Sequence, residues 1–314
     1  MKNYLLTRII TAALFTAVLA GTWDAWWHGA LGRESFWSPP HILLYSAIIT
    51  AVSLGLYGWR KFKDAVWRNF AIALLLIPAT APIDDIWHRT FGIETVASPL
   101  IVWSPPHLIL IGTIIWAFVQ CLKRLKEDPD MHAKWLFGNF IFAGIANLLF
   151  FVAAPVQPLG PYKLLGFWGA GILCAIMVVI FLFSERVLAR IGTALSVSAM
   201  IILIQSIEFG EKISSKVVVP PHGHAPGWLI IFSYLLAALW IDLTRDRLPM
   251  WFRGGIAGTL SCVALYGFVN YFLEFSFRFS SLNLLQAIIS SAILGIFVGE
   301  IASRYKNLQG LLTQ

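Results

Sequence analysis

The sequence predicts an all-α membrane protein, a polytopic bundle of about ten transmembrane helices built from five helical hairpins. Three observations carry the prediction. Of 314 residues, 58% are hydrophobic and only 12% charged, with a mean hydropathy of +0.76, whereas a soluble domain spends roughly a quarter of its residues on charge. The apolar residues gather into runs of the length that a bilayer crossing demands, roughly 20 residues. The cations between those runs alternate in abundance from one connection to the next.

The runs fall near residues 5–22, 40–58, 66–83, 105–122, 135–156, 164–183, 187–207, 227–243, 254–273 and 283–301. In the first, Lys2 and Arg8 followed by Ala17-Val18-Leu19-Ala20 imitate a cleavable signal, but the run continues into a polar motif that needs its helix, so an uncleaved span is expected. The second and fourth open on Pro39-Pro40 and Pro105-Pro106, because proline suits the first helical turn, where its missing N–H has no intrahelical partner anyway. The remaining spans alternate with short polar connections. With a cytoplasmic N-terminus, 17 of the 23 cations fall on inside segments, leaving Arg33, Arg89, Lys163, Lys212, Lys216 and Arg278 outside. The positive-inside rule then places both termini in the cytoplasm of a multi-pass cell-membrane protein. The net charge of +7 is thereby a topological signal, and the expected surroundings are a lipid bilayer and no nucleic acid. Fourteen Trp and 23 Phe suit interfacial aromatic belts.

A repeat lies in the first two hairpins. Trp23-Asp24-Ala25-Trp26-Trp27-His28 aligns without gaps on Ile83-Asp84-Asp85-Ile86-Trp87-His88, and both continue into Gly-x-Glu, ending at Glu34 and Glu94. Both then reach Trp-Ser-Pro-Pro-His, as Trp37 to His41 and Trp103 to His107. The chain accordingly divides into residues 1–122, two duplicated hairpins, and residues 123–314, about six further spans of the same membrane domain.

Asp24 and His28 stand four residues apart, as do Asp84 and His88, so a helix projects each pair from one face. His41 and His107 follow the double prolines that fix their entry. One carboxylate and two imidazoles make a three-ligand set suited to copper, zinc, iron or nickel rather than magnesium or calcium. Asp24, His28, His41, Asp84, His88 and His107 are therefore the candidate metal ligands, on the outer side. Two other readings stay open: interfacial polarity of no special function, and a proton or solute pathway.

These residues resemble a known family. Asp24-x3-His28-x12-His41 looks like the copper-ligand motif in a membrane subunit of the particulate methane and ammonia monooxygenases, the copper membrane monooxygenase family, and Asp84-x3-His88 with His107 resembles the second, Asn-headed set of the same polypeptide. The resemblance spans about residues 20–110. It implies copper in preference to zinc or iron, partner membrane subunits or a homo-oligomer, and oxygen-dependent oxidation if the protein is an enzyme. The spans beyond residue 110 have no counterpart in it. The alternatives are a membrane transporter or metal-delivery protein, and a non-catalytic structural subunit.

Other residues are weighed alongside. His222 and His224 form an outer-loop pair, read first as solvated. Glu208 and Glu211 pair with Lys212 or support the bundle; Glu34 and Glu94 are candidates to orient an imidazole; Arg33 is a counter-charge for Asp24; and Asp85 is an alternative to Asp84. Trp26, Trp27, Trp37, Trp87 and Trp103 shield the site or belong to the belt. His132 reads as a solvated loop residue. Cys121, Cys174 and Cys262, without any Cys-x2-Cys spacing, read as small core residues. Gly-rich phosphate loops and haem-attachment motifs are absent from the sequence, which leaves most familiar enzyme classes without support.

Overall fold

The computed structural model describes residues 2–31, 37–91, 103–153, 155–156, 164–214, 227–272 and 280–308. Every regular element among them is helical: α1 (Asn3–Leu31), α2 (Pro39–Phe62), α3 (Ala65–Phe91), α4 (Pro105–Leu125), α5 (Met131–Ala153), α6 (Gly169–Leu188), α7 (Thr193–Ser214), α8 (Gly227–Leu243), α9 (Met250–Phe272) and α10 (Ser281–Leu308), with one 3-10 turn at Gly166–Trp168. Six of them, α1, α2, α4, α5, α6 and α10, are long and apolar enough to cross a membrane. The chain forms two compact units, residues 1–152 and 153–314.

In the first unit α1 packs on α2 and α4, and α3 packs on the same two helices, so four helices close a ring. Its core is Leu6, Ile10, Leu14, Trp67, Phe70, Leu74 and Phe118, with Cys121 among them. Glycines admit the largest side chains: a Cβ at Gly58 would lie 2.4 Å from the buried ring of Trp67, and one at Gly144 2.8 Å from Phe118. The first unit also takes in α5, which packs against the ring of four. Phe140 stacks on Phe15 at 4.5 Å, Asn147 Nδ2 donates to Thr22 Oγ1 at 3.0 Å, and Gly144 receives Phe118 of α4.

One end of this bundle is tied by charge. Arg8 donates to both carboxylate oxygens of Asp128 at 2.7 Å, from Nε and Nη2. Arg124 pairs with Asp64 and, at 3.0 Å, with Glu127. Trp67 donates its backbone N–H to Asp64 and its indole N–H to Asn3, whose amide donates to Glu127. Asp130 caps α5 by accepting from the N–H groups of His132 and Ala133, so His132 sits exposed on the first turn of a helix rather than in a loop.

The Arg8 hydrogen bonds hold the Asp128 carboxyl below its ordinary value. A depressed carboxylate contributes stability above its unfolded pKa of about 3.9 and loses it as pH falls through the lower folded value. Asp128→Asn is expected to cost about 1.5–3 kcal/mol near neutrality, as for hydrogen bonds to a charged group. Thermal unfolding in detergent should show the two proteins converging below about pH 4; a gap that persists there would assign the effect to shape alone.

In the second unit α6 is the hub, packing on α7, α8, α9 and α10. It is the most apolar of the six and more than half buried, as suits a helix that is apolar all round. It ends at Ala189 in the left-handed region, φ 51°, with its N–H donated to Glu185 O.

Candidate metal centre

The two halves of the repeat place their histidines in the same way. Ser38 and Ser104 are extended N-cap residues, and prolines occupy the next two positions. His41 and His107 thus enter on the first turn of α2 and α4. From there the copies diverge. His107 donates its backbone N–H to Ser104 Oγ at 3.4 Å, and Trp103 donates its indole N–H to Val152 O at 2.9 Å. In the first copy Ser38 makes no such cap, and its buried Oγ has no hydrogen-bond partner among the described residues.

His41 is buried instead against α1. Its Nε2 lies 3.1 Å from Asp24 Oδ1, with only 11% and 18% of the two side chains exposed, and its ring stacks on Tyr45 one turn along α2 at 5.6 Å. The α1–α2 hairpin therefore brings together the first and last residues of Asp24-x3-His28-x12-His41. His28 lies on α1 one turn beyond Asp24; its side chain, and those of Asp84, Asp85 and His88, lie outside the described residues. So do Arg33, Glu34, Glu94, His222 and His224 altogether, and the side chains of Trp26, Glu208 and Glu211. His107 is half-buried. Among the described residues no group of three or more His, Cys, Asp or Glu side chains gathers at metal-binding range.

Trp23 and Trp27 meet edge to face on α1 at 6.1 Å, on the segment that carries Asp24, while Trp37 is 69% exposed. Tryptophans of one motif thus divide between a half-buried pair and an exposed ring. Arg8 and Asp24 are sixteen positions apart on α1, roughly 24 Å at the helical rise, so the Asp24 and His41 pair sits at the end of the first unit opposite its ionic cluster.

Sequence reasoning passed over several buried polar groups. Gln120 is 2% exposed and Thr11 fully buried, and Gln120 Oε1 has no hydrogen-bond partner among the described residues. Each is a single polar residue within an apolar run, a signal that hydropathy averages away. Cys121, Cys174 and Cys262 are all buried, in keeping with their reading as small core residues. Compared with protein-family models, with curated proteins and with solved structures, the chain matches none.

Proposed function

We propose that the protein is a multi-pass, copper-binding protein of the cell membrane, crossing it about ten times in five hairpins with both termini cytoplasmic. Its metal centre lies at the outer face in residues 1–152. The observation that carries the reading is the approach of Asp24 and His41, two distant members of one ligand string, in a half-buried site at the junction of two helices. An aspartate and an imidazole at 3.1 Å already satisfy much of the charge and donor geometry that a borderline divalent ion requires, and a carboxylate beside a histidine is stable with or without the ion.

Asp24, His28 and His41 would hold the metal, with Asp84, His88 and His107 forming a second set from the repeated hairpin. Bound copper would supply electron transfer or oxygen chemistry at a nitrogen- and carboxylate-ligated centre. The chain's own contribution is orientation and exclusion of water. Tyr45 fixes the plane of the His41 ring, the double proline fixes the direction of entry of α2, and Trp23 and Trp27 cover the adjacent face of α1. The resemblance to the copper membrane monooxygenases supports this chemistry over simple interfacial polarity, and suggests partner membrane subunits or a homo-oligomer.

The test is the metal content of protein purified in mild detergent. Copper is expected at stoichiometric level, and His41→Ala and His28→Ala should each lower it by at least tenfold, the usual penalty for removing one of three ligands being of that order or larger. Unchanged metal content in both variants, or zinc in place of copper throughout, would overturn the assignment.

A further inference from the structure

The four carboxylates at the charged end of residues 1–152 are spent on partners within the bundle. Asp128 takes both bonds from Arg8. Asp64 accepts the Trp67 backbone N–H at 2.9 Å and pairs with Arg124, Glu127 accepts from the Asn3 amide at 2.9 Å and from Arg124 at 3.0 Å, and Asp130 caps α5. These bonds, with the Trp67 indole N–H donated to Asn3 at 2.8 Å, join the start of α1, the α2–α3 turn and the α4–α5 turn into one patch. Around it stand Lys2, Arg60, Lys63, Arg68, Lys123 and Lys126, all exposed. All but Arg60 adjoin a bonded residue in sequence: Lys2 beside Asn3, Lys63 beside Asp64, Arg68 beside Trp67, Lys123 beside Arg124 and Lys126 beside Glu127. The network that consumes the acids therefore holds the cations at its rim. Among the described residues none of the six pairs with a carboxylate.

The rim lies at the edge of the apolar spans. α2 is the least buried of the six apolar helices, at 22%, so its flank is the most open to lipid. Tyr57 and Trp59, 43% and 37% exposed, stand in its last turns, and Lys61 lies over the Tyr57 ring at 5.5 Å, its Nζ donating to the hydroxyl at 3.2 Å. Interfacial aromatic side chains sit at headgroup level, and a lysine stem laid along such a ring carries its ammonium to the same level. Arg60 and Lys63 follow directly. We propose that this rim binds acidic phospholipids, whose headgroups supply the negative charge that the committed carboxylates do not. A cation near an anionic bilayer surface is attracted within about a Debye length, roughly 8 Å at physiological ionic strength, and cations held at headgroup level lie inside that distance. A soluble acidic partner would meet the same charge, but exposed aromatic side chains beside it, at the end of an apolar span, fit a ligand with an anionic head and an apolar tail. The inference rests on the membrane reading of the chain and is independent of the metal.

The test uses the full chain reconstituted in phosphatidylcholine vesicles that carry equal traces of headgroup-photoactivatable phosphatidylglycerol and phosphatidylcholine, with crosslinked peptides identified by mass spectrometry. Phosphatidylglycerol is expected to label residues 57–68 and 123–130 about fivefold more than phosphatidylcholine, the preference that one cation at an anionic surface confers. Combining Arg60→Gln, Lys63→Gln and Arg68→Gln should bring the first segment to parity. Salt at about 1 M, where the Debye length shrinks to about 3 Å, should do the same to both segments of the wild-type protein, a readout that needs no variant to fold. The proposal is overturned if the inserted wild-type protein is labelled equally by the two lipids at these segments, if the preference is as strong around Trp37 at the other end of α2, or if it survives both substitution and salt. Equal labelling of an inserted chain overturns this inference alone. A chain that fails to float with the vesicles overturns the membrane reading with it.

Discussion

Glu185→Ala is expected to destabilise residues 153–314 by about 3–5 kcal/mol, the cost of leaving one member of a buried ion pair without its partner. Arg253 is 2% exposed and Glu185 4%, so the guanidinium charge left behind has no route to water. Its other bonds are to neutral groups: Nη2 donates to Ile241 O at 2.6 Å and Nε to Thr244 Oγ1 at 3.2 Å. Arg245, whose Nε lies 3.6 Å from Glu185 Oε1, would then face Arg253 with no carboxylate between them. The same cluster fastens four helices, α6 to α9, because Trp240 of α8 donates its indole N–H to Arg253 O and Asp242 of α8 accepts from the Ala194 and Leu195 N–H groups at the start of α7. Equilibrium unfolding in a detergent and denaturant mixture reads the effect.

Two comparisons separate the buried charge from mere loss of packing. Glu185→Ala combined with Arg253→Met should recover most of the loss, since a buried pair replaced as a unit by apolar residues is often neutral. Asp246→Ala removes the other carboxylate near Arg245, but its side chain is 89% exposed, and the change should stay within about 0.5 kcal/mol. A double variant as unstable as Glu185→Ala alone would show that the helices depend on the bonds Arg253 makes rather than on the pairing of its charge.

Arg253 also shows where the sequence stops being legible. Charge patterning counts it as one more inside cation ahead of an apolar run, because hydropathy registers position along the chain and not depth in the bundle. The helical character of the described residues was readable from apolar runs, and the starts of α2 and α4 from their double prolines. The unbroken course of α3 was not: Pro78 and Pro82 lie inside it and the helix runs on to Phe91, past the apolar run that ends near residue 83, since neighbouring helices can satisfy the backbone groups that proline frees. The candidate site was legible as far as local spacing reaches. Asp24 and His28 on one helix face, and His41 behind its prolines, follow from periodicity. That the α1–α2 hairpin closes Asp24 onto His41 while Trp103 and Ser104 anchor the second copy differently depends on what α5 offers, and α5 gives no sign in sequence of packing with the first four helices. Pairings between distant segments, Glu185 with Arg253 or Arg8 with Asp128, carry no period at all.

Gly295→Val should be at least as damaging, because the obstruction it meets is backbone. A Cβ at Gly295 would lie 2.3 Å from Gly254 O, and the contact is reciprocal, with a Cβ at Gly254 2.2 Å from Gly295 O. The same holds one turn either way: Gly258 meets Ser291 O at 2.3 Å and Gly299 meets Met250 O at 2.2 Å. Small residues spaced four apart on α9 and α10 thus let two antiparallel helices approach main chain to main chain, the packing that substitutes for a hydrophobic driving force between helices in lipid. A clashing side chain can change rotamer, but a carbonyl oxygen cannot move without its helix. Even Gly295→Ala must push α9 and α10 apart, and valine further, for an expected loss of about 3 kcal/mol or more, the upper range for overpacked positions. Because Gly254 and Gly295 oppose each other, the double Gly254→Ala, Gly295→Ala variant should cost clearly less than the sum of the single changes, the first separation having made room for the second. Gly112 of α4 supplies the contrast: a Cβ there meets nothing within 4 Å, so Gly112→Ala should stabilise its helix by up to about 1 kcal/mol. If Gly295→Ala and Gly112→Ala shift unfolding in the same direction, close approach of the α9 and α10 backbones does not hold the second unit together.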